Sequence, residues 1–319
     1  MSQKWRNGSL AEVAQLANVS TGTVSRVFNN SSQIPPETRS RVMQSARRLG
    51  IRPRVGVRNK QIALVTEPAH RCIMGGYVHT LTQYICFALS RQDVGISMIT
   101  EDRIDSLYDC WFDGVIGIAW EDKSIDLLKT IQNLPVIWLS DHYADFFHTV
   151  YSNGRRTGRL VGDFLQHKGH RRIAVIHDDD FTGRERAAGL GEVLMNQDGC
   201  PAFAAFPNSR PLHLTVKQVL DEGYTALWVT GVDMKVLEVN WLIQEMVGKK
   251  VPEDISLIGF ENPGISEFLC PSLTTICSPL REIAEKAVEL VLDEDLKDLQ
   301  RLELPETIIE RSSVRDLND

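Results

Sequence analysis

The stretch Ser9 to Asn29, SLAEVAQLANVSTGTVSRVFN, leaves the chain few choices, because it reads as two short helices joined by a tight turn. Ser9 and Glu12 form a capping box, in which each side chain satisfies a free backbone N–H at a helix start. Leu10, Val13, Ala14 and Ala17 recur at helical spacing, a stripe that has to be buried. Asn18 tolerates the left-handed geometry of a turn, and Ser20 caps a second helix running through Arg26 and Phe28. On that helix Val24, Val27 and Phe28 face inward, leaving Thr21, Gly22, Ser25 and Arg26 outside. Such a face suits the major groove of DNA: hydroxyls and helix N-terminal N–H groups bind phosphates, and an arginine forks onto a guanine edge. A helix-turn-helix is the expectation, against an ordinary helical hairpin with a solvated face.

The charge pattern points the same way. Residues 1–60 hold eleven Lys and Arg against Glu12 and Glu37, a net +9, whereas the whole 319-residue chain carries −7, so the remainder carries −16. One segment is built to meet a polyanion and the rest to stay off it. Six scattered cysteines (72, 86, 110, 200, 270, 277) contain no C-x-x-C pair, which argues for small buried residues in a reducing compartment rather than a zinc site or disulfide framework. The opening MSQKWRNGS lacks the apolar core of a secretion signal, and no run approaches the roughly 18 apolar residues of a membrane span, so no membrane is involved and a cytoplasmic location is expected.

The run A-x-V-A-x-L-A-x-V-S-x-x-T-V-S-R-V-x-N, Ala11 to Asn29, resembles the signature of the lactose/galactose repressor family of bacterial transcription regulators. The resemblance continues through E-T-R-x-R-V (Glu37 to Val42) and L-G-I-R-P (Leu49 to Pro53). Further matches are G-H-R-R-I-A (Gly169 to Ala174), R-E-R-x-x-G (Arg184 to Gly189), V-P-E-D-I-S-L-I-G-F (Val251 to Phe260), P-S-L-T-T-I (Pro271 to Ile276) and L-P-E-T-I-I-E-R-S-S (Leu304 to Ser313). It implies an α/β chain: an N-terminal three-helix head, then a two-lobed domain like the periplasmic sugar-binding proteins, with parallel sheets.

Three segments are expected. Residues 1–51 form the head, whose third helix, about Glu37 to Leu49, follows Pro35-Pro36 and stops at Gly50. Residues 52–60 form a short basic linker in which Pro53, Val55, Gly56 and Val57 disfavour helix, so the family's hinge helix is shortened or absent. Residues 61–319 form the effector and dimerisation domain. Apolar strand candidates are Ile62 to Thr66, Ile96 to Thr100, Gly114 to Ala119, Val136 to Ser140, Ile173 to His177, Ala226 to Thr230 and Ile255 to Phe260. Helical patterns such as Val78 to Arg91, Thr157 to His167 and Arg186 to Asn196 lie between them, which indicates parallel sheets covered on both faces. Seven units are too many for one sheet and divide near Thr149 to Asn153, giving two lobes. Residues 101–113 are short where the family has a full helix.

The resemblance assigns base reading to Thr21, Gly22 and Arg26, and backbone contacts to Ser20, Thr23, Ser25 and Asn29, on a palindromic operator bound by a homodimer. For a small-molecule effector held between the lobes it points to Tyr77, Asn153, Arg184, Asp233 and Glu261. Asn153-Gly154, Val232 and Glu261-Asn262 depart from the family's usual polar residues, so a sugar or sugar derivative is an expectation of class only. The bland alternative is a structural salt bridge between Arg184 and Glu261. The run His177 to Asp180 reads as a solvated loop rather than a metal site. No G-x-S-x-G elbow, P-loop or G-x-G-x-x-G after a strand is present, so neither catalysis nor a cofactor is expected. A solute-binding protein would share the large domain, yet would carry a secretion signal and no basic head.

Overall fold

In a computed structural model the described residues are 9–29, 31, 33–51, 60–68, 75–108, 110–118, 122–131, 134–140, 142–195, 202–231 and 234–318. The linker expected at 52–60 lies outside them except for Lys60, as do Asp233 and its neighbour Val232. The three head helices are α1 (Leu10–Ala17), α2 (Thr21–Phe28) and α3 (Pro36–Arg48). The Ser9–Glu12 capping box opens α1, and Asn18 closes it at φ 51° and ψ 53°. Val13, Ala17, Val24, Val42 and Ala46 are buried together, so the three apolar stripes close one small core.

Alternating strands and helices follow: β1 (Gln61–Thr66), α4 (Tyr77–Ser90), β2 (Gly95–Thr100), β3 (Gly114–Ile118), α5 (Asp122–Thr130), β4 (Val136–Trp138), β5 (His148–Tyr151), α6 (Gly154–His167), β6 (Arg172–His177), α7 (Phe181–Met195), β7 (Ala202–Pro207), α8 (Leu212–Asp221), β8 (Ala226–Val229), α9 (Lys235–Trp241), β9 (Ser256–Phe260), β10 (Thr274–Cys277), α10 (Leu280–Leu292), β11 (Arg301–Glu303) and β12 (Thr307–Ile309). Residues 101–113 hold a 3₁₀ segment, Glu101–Tyr108, interrupted at Arg103, in place of a crossover α-helix. Among the described residues no helix is long and apolar enough to cross a membrane.

Two sheets of six strands form, ordered β11-β5-β4-β3-β1-β2 and β12-β10-β9-β8-β6-β7. In the first, β1 runs parallel to β2 and β3, with Ile62 level with Ile96 and Gly114. In the second, β6 to β10 are parallel and only β12 runs antiparallel, to β10. Alternate residues of its central strands enter different cores: Ala174, Ile176, Leu227 and Leu257 on one face, Ile173, Val175, Trp228 and Ile258 on the other. That two-sided burial is why these strands read as unbroken apolar runs.

The chain divides into two units. The first holds residues 1–72, and so both the head and β1, with residues 80–151 and 280–302; the second holds residues 73–79, 152–279 and 303–319.

Candidate functional site

The head presents α2. Ser20 caps it, its hydroxyl accepting from the Thr23 N–H at 3.1 Å and pairing with Thr23 Oγ1 at 2.9 Å. Ser20 and Thr23, both expected at the DNA backbone, are thus engaged with each other first. Val24 and Val27 are buried, whereas Thr21, Gly22, Arg26 and Asn29 are exposed and Ser25 is half-buried. Gly22 does not owe its presence to the fold: a Cβ there would meet only Ser20 Oγ, at 3.7 Å. What α2 offers outward is therefore a hydroxyl at Thr21, a gap at Gly22 and a guanidinium at Arg26, side chains able to hydrogen-bond an approaching partner.

A second polar cluster lies where β6, β8 and β9 end, the usual place for ligands in parallel sheets. Helix α7 begins at Phe181, five residues earlier than its sequence pattern suggested, because the Asp180 carboxylate accepts from the Gly183 N–H at 2.6 Å. Both arginines of R-E-R therefore sit on the helix, two positions apart and on different faces. Arg184 is exposed and donates to the Asp179 carbonyl at 2.8 Å. Arg186 shares the inward stripe of Gly183, Ala187, Leu190 and Leu194 and is buried. Its guanidinium lies 4.2 Å from the centre of the Phe260 ring, donates to the Thr230 carbonyl at 3.1 Å and stands 3.9 Å from Glu306. The Nε of Arg186 and the hydroxyl of Thr230 are buried without a hydrogen-bond partner among the described residues.

Around them the polar groups brace one another. Glu306 accepts from the hydroxyls of Thr157 and Ser278. Glu261 is gripped by Arg311 through two bonds of 2.9 and 3.0 Å and accepts from Thr275. Asp178 takes Lys235 at 3.0 Å and also Asn208, so the acids after β6 form a bonded corner rather than a solvated loop.

Of the expected effector residues, Arg184 and Glu261 do not pair with each other: the partner of Glu261 is Arg311. Asn153 caps α6, accepting from the Arg156 N–H at 3.0 Å. Tyr77 is half-buried at the first position of α4. Sequence reasoning missed Arg186, although its spacing from Gly183 and Leu190 carried the signal. It also missed Arg311, whose role depends on a strand pairing far away in sequence.

Residues 9–54 match the family described as bacterial regulatory proteins, lacI family, and residues 163–314 match the periplasmic binding protein-like domain. The transcriptional repressor PurR of Salmonella newport is 28% identical over 97% of this chain and 97% of its own. A solved transcriptional regulator CelR–cellobiose complex aligns over 96% of this chain and 99% of its own with a TM-score of 0.65 at 23% identity. A lac repressor dimer bound to operator and the anti-inducer ONPF aligns over 97% and 100% with a TM-score of 0.67 at 21% identity. The chain thus joins a lacI-family helix-turn-helix head to a periplasmic-binding-protein-like domain, and its similarity to repressors of the lactose/galactose type runs through both.

Proposed function

We propose that this protein is a sequence-specific DNA-binding transcription repressor that reads a palindromic operator as a homodimer, one α2 in each major-groove half-site. The observation that carries this is the outward face of α2, where Thr21, Gly22 and Arg26 stand exposed and the fold asks nothing of them. The relative named as a transcriptional repressor supports the direction of control. Selection from random duplex DNA followed by gel shift tests it: a palindromic consensus is expected, and failure to enrich any duplex at low salt overturns the reading.

The effector is a small polyhydroxylated molecule of the sugar class, held at the strand ends of the second sheet. Arg186 and Thr230 keep buried donors there, and a guanidinium fork suits vicinal hydroxyls. The cellobiose named in the solved relative is of that class. In a thermal-shift screen of sugars and sugar acids, a ligand that stabilises the wild type is expected to stabilise Arg184→Ala equally and to lose its effect on Arg186→Ala and Arg186→Lys. A ligand that still shifts both Arg186 variants but not Arg184→Ala would return the role to Arg184.

A further inference from the structure

The core of the head is completed from outside the head. Trp111 is 6% exposed and buried with Val13, Val24, Val42 and Ala46, and its ring meets Phe28, the last residue of α2, edge-on at 6.5 Å. A second contact is polar. Arg47, near the end of α3, is 3% exposed and donates through Nη2 to the carbonyls of Leu107 at 2.8 Å and Cys110 at 3.0 Å, with its guanidinium 5.8 Å from the Tyr108 ring centre. Burial pushes the Arg47 guanidinium down to about 10, still charged at neutral pH, so these carbonyl bonds are charge-assisted.

The acceptors are themselves fixed. Leu107 and Ile104 are fully buried in the core that covers β1 and β3, and the Tyr108 hydroxyl donates to Thr130 Oγ1 at the end of α5. Because β2 and β3 run parallel, the chain between them must return from the carboxyl to the amino ends of the strands. The 3₁₀ segment Glu101–Tyr108 makes that return and arrives under the head. The Asp113 carboxylate then accepts from the Gln61 N–H at 2.8 Å and ties the same segment to the start of β1.

We propose that Arg47 and Trp111 latch the helix-turn-helix head to the 101–113 segment, so that α2 is carried as a rigid extension of the first sheet. Both are positioning residues: neither lies on the outward face of α2. A latched pair of heads demands one half-site separation, whereas heads on loose tethers accept several. This consequence for DNA rests on the proposed function; the latch itself does not.

The experiment uses the full chain. Hydrogen exchange is compared for wild type, Arg47→Met and Trp111→Ala, the first variant keeping side-chain length and leaving the apolar core of the head intact. Exchange in α3 and in 101–108 is expected to rise together by about tenfold or more in both variants, with β1 and β3 unchanged. Unchanged exchange of α3 in Arg47→Met overturns the latch whether or not Trp111→Ala folds. The selected duplex is then remade with its half-sites moved apart by single base pairs. Wild type is expected to bind only one separation and Arg47→Met to bind neighbouring ones with less than about a fivefold penalty, while its preference for the half-site sequence stays intact. Identical spacing profiles for the two proteins also overturn the latch. If no duplex is selected, the DNA-binding reading fails, and the exchange measurement still decides the latch.

Discussion

The outward face of α2 and the strand-end rim of the second sheet are both polar, yet they differ in what the fold already uses. On α2, Thr21, Gly22 and Arg26 are spare: capping falls to Ser20 and packing to Val24 and Val27. On the rim, Arg311 holds Glu261, Thr157 holds Glu306, and Asn208 and Lys235 hold Asp178. A spare polar face declares its function by residue type alone. A braced one does not, since the groups that would meet a ligand are also those that stabilise the unit. Variants on α2 should therefore change DNA binding without melting the protein, and variants on the rim should melt it.

The largest test of that contrast is Arg311→Met, which strands the Glu261 carboxylate in a site where the two side chains are only 16% and 12% exposed. Breaking such a pair should cost about 3–5 kcal/mol in urea unfolding of the second unit. A loss below about 1 kcal/mol would mean that Glu261 is not needed as a brace and is free for a ligand. Next comes pH. Burial between Thr225 and the Arg315 carbonyl pushes His170 from its ordinary 6.5 down to about 4. Between those values the unfolded chain binds a proton that the folded chain refuses, so stability present above 6.5 falls as pH drops towards 4, by up to about 3 kcal/mol. Chemical denaturation at pH 7 and pH 5 should show this slope, and His170→Gln should flatten it.

On the head the effects are smaller and of another kind. Arg26→Ala should remove about 1–3 kcal/mol of preference for the cognate half-site, seen by competitive gel shift, with the melting temperature unchanged. A coupled loss of stability would place Arg26 among the braces and erase the distinction. Smallest is Gly22→Ala, which has room for its Cβ and should stabilise the helix by up to about 1 kcal/mol while weakening operator binding. Unchanged affinity would show that the groove does not approach this residue closely.

The sequence was most readable where structure is local. The cap at Ser9, the turn at Asn18 and the stripe of Val24 and Val27 are decided by neighbours within four residues, and the head follows them. Most buried strands were equally plain, since two-sided burial leaves an apolar run, but β10 escaped because two of its buried residues, Thr274 and Thr275, are polar. Strands missed by pattern lack that mark: β5 has four residues and opens on His148, β7 is rich in alanine, and β12 is a short edge held by its pairing with β10. The rim was legible only in part. Which of Arg184 and Arg186 turns inward depended on where α7 begins, and that was set by the Asp180 cap rather than by the apolar pattern. The grip of Arg311 on Glu261 joins residues 50 apart and has no local trace.

Trp111 bears on how separable the head is. Cut at Ile51 and grafted onto another body, the head would arrive with a notch in its underside where an indole belongs and with the flank of Phe28 bared. A host lacking a bulky aromatic at the matching place would leave that notch wet. Exchanging heads to redirect this protein therefore means moving residues 101–113 with them.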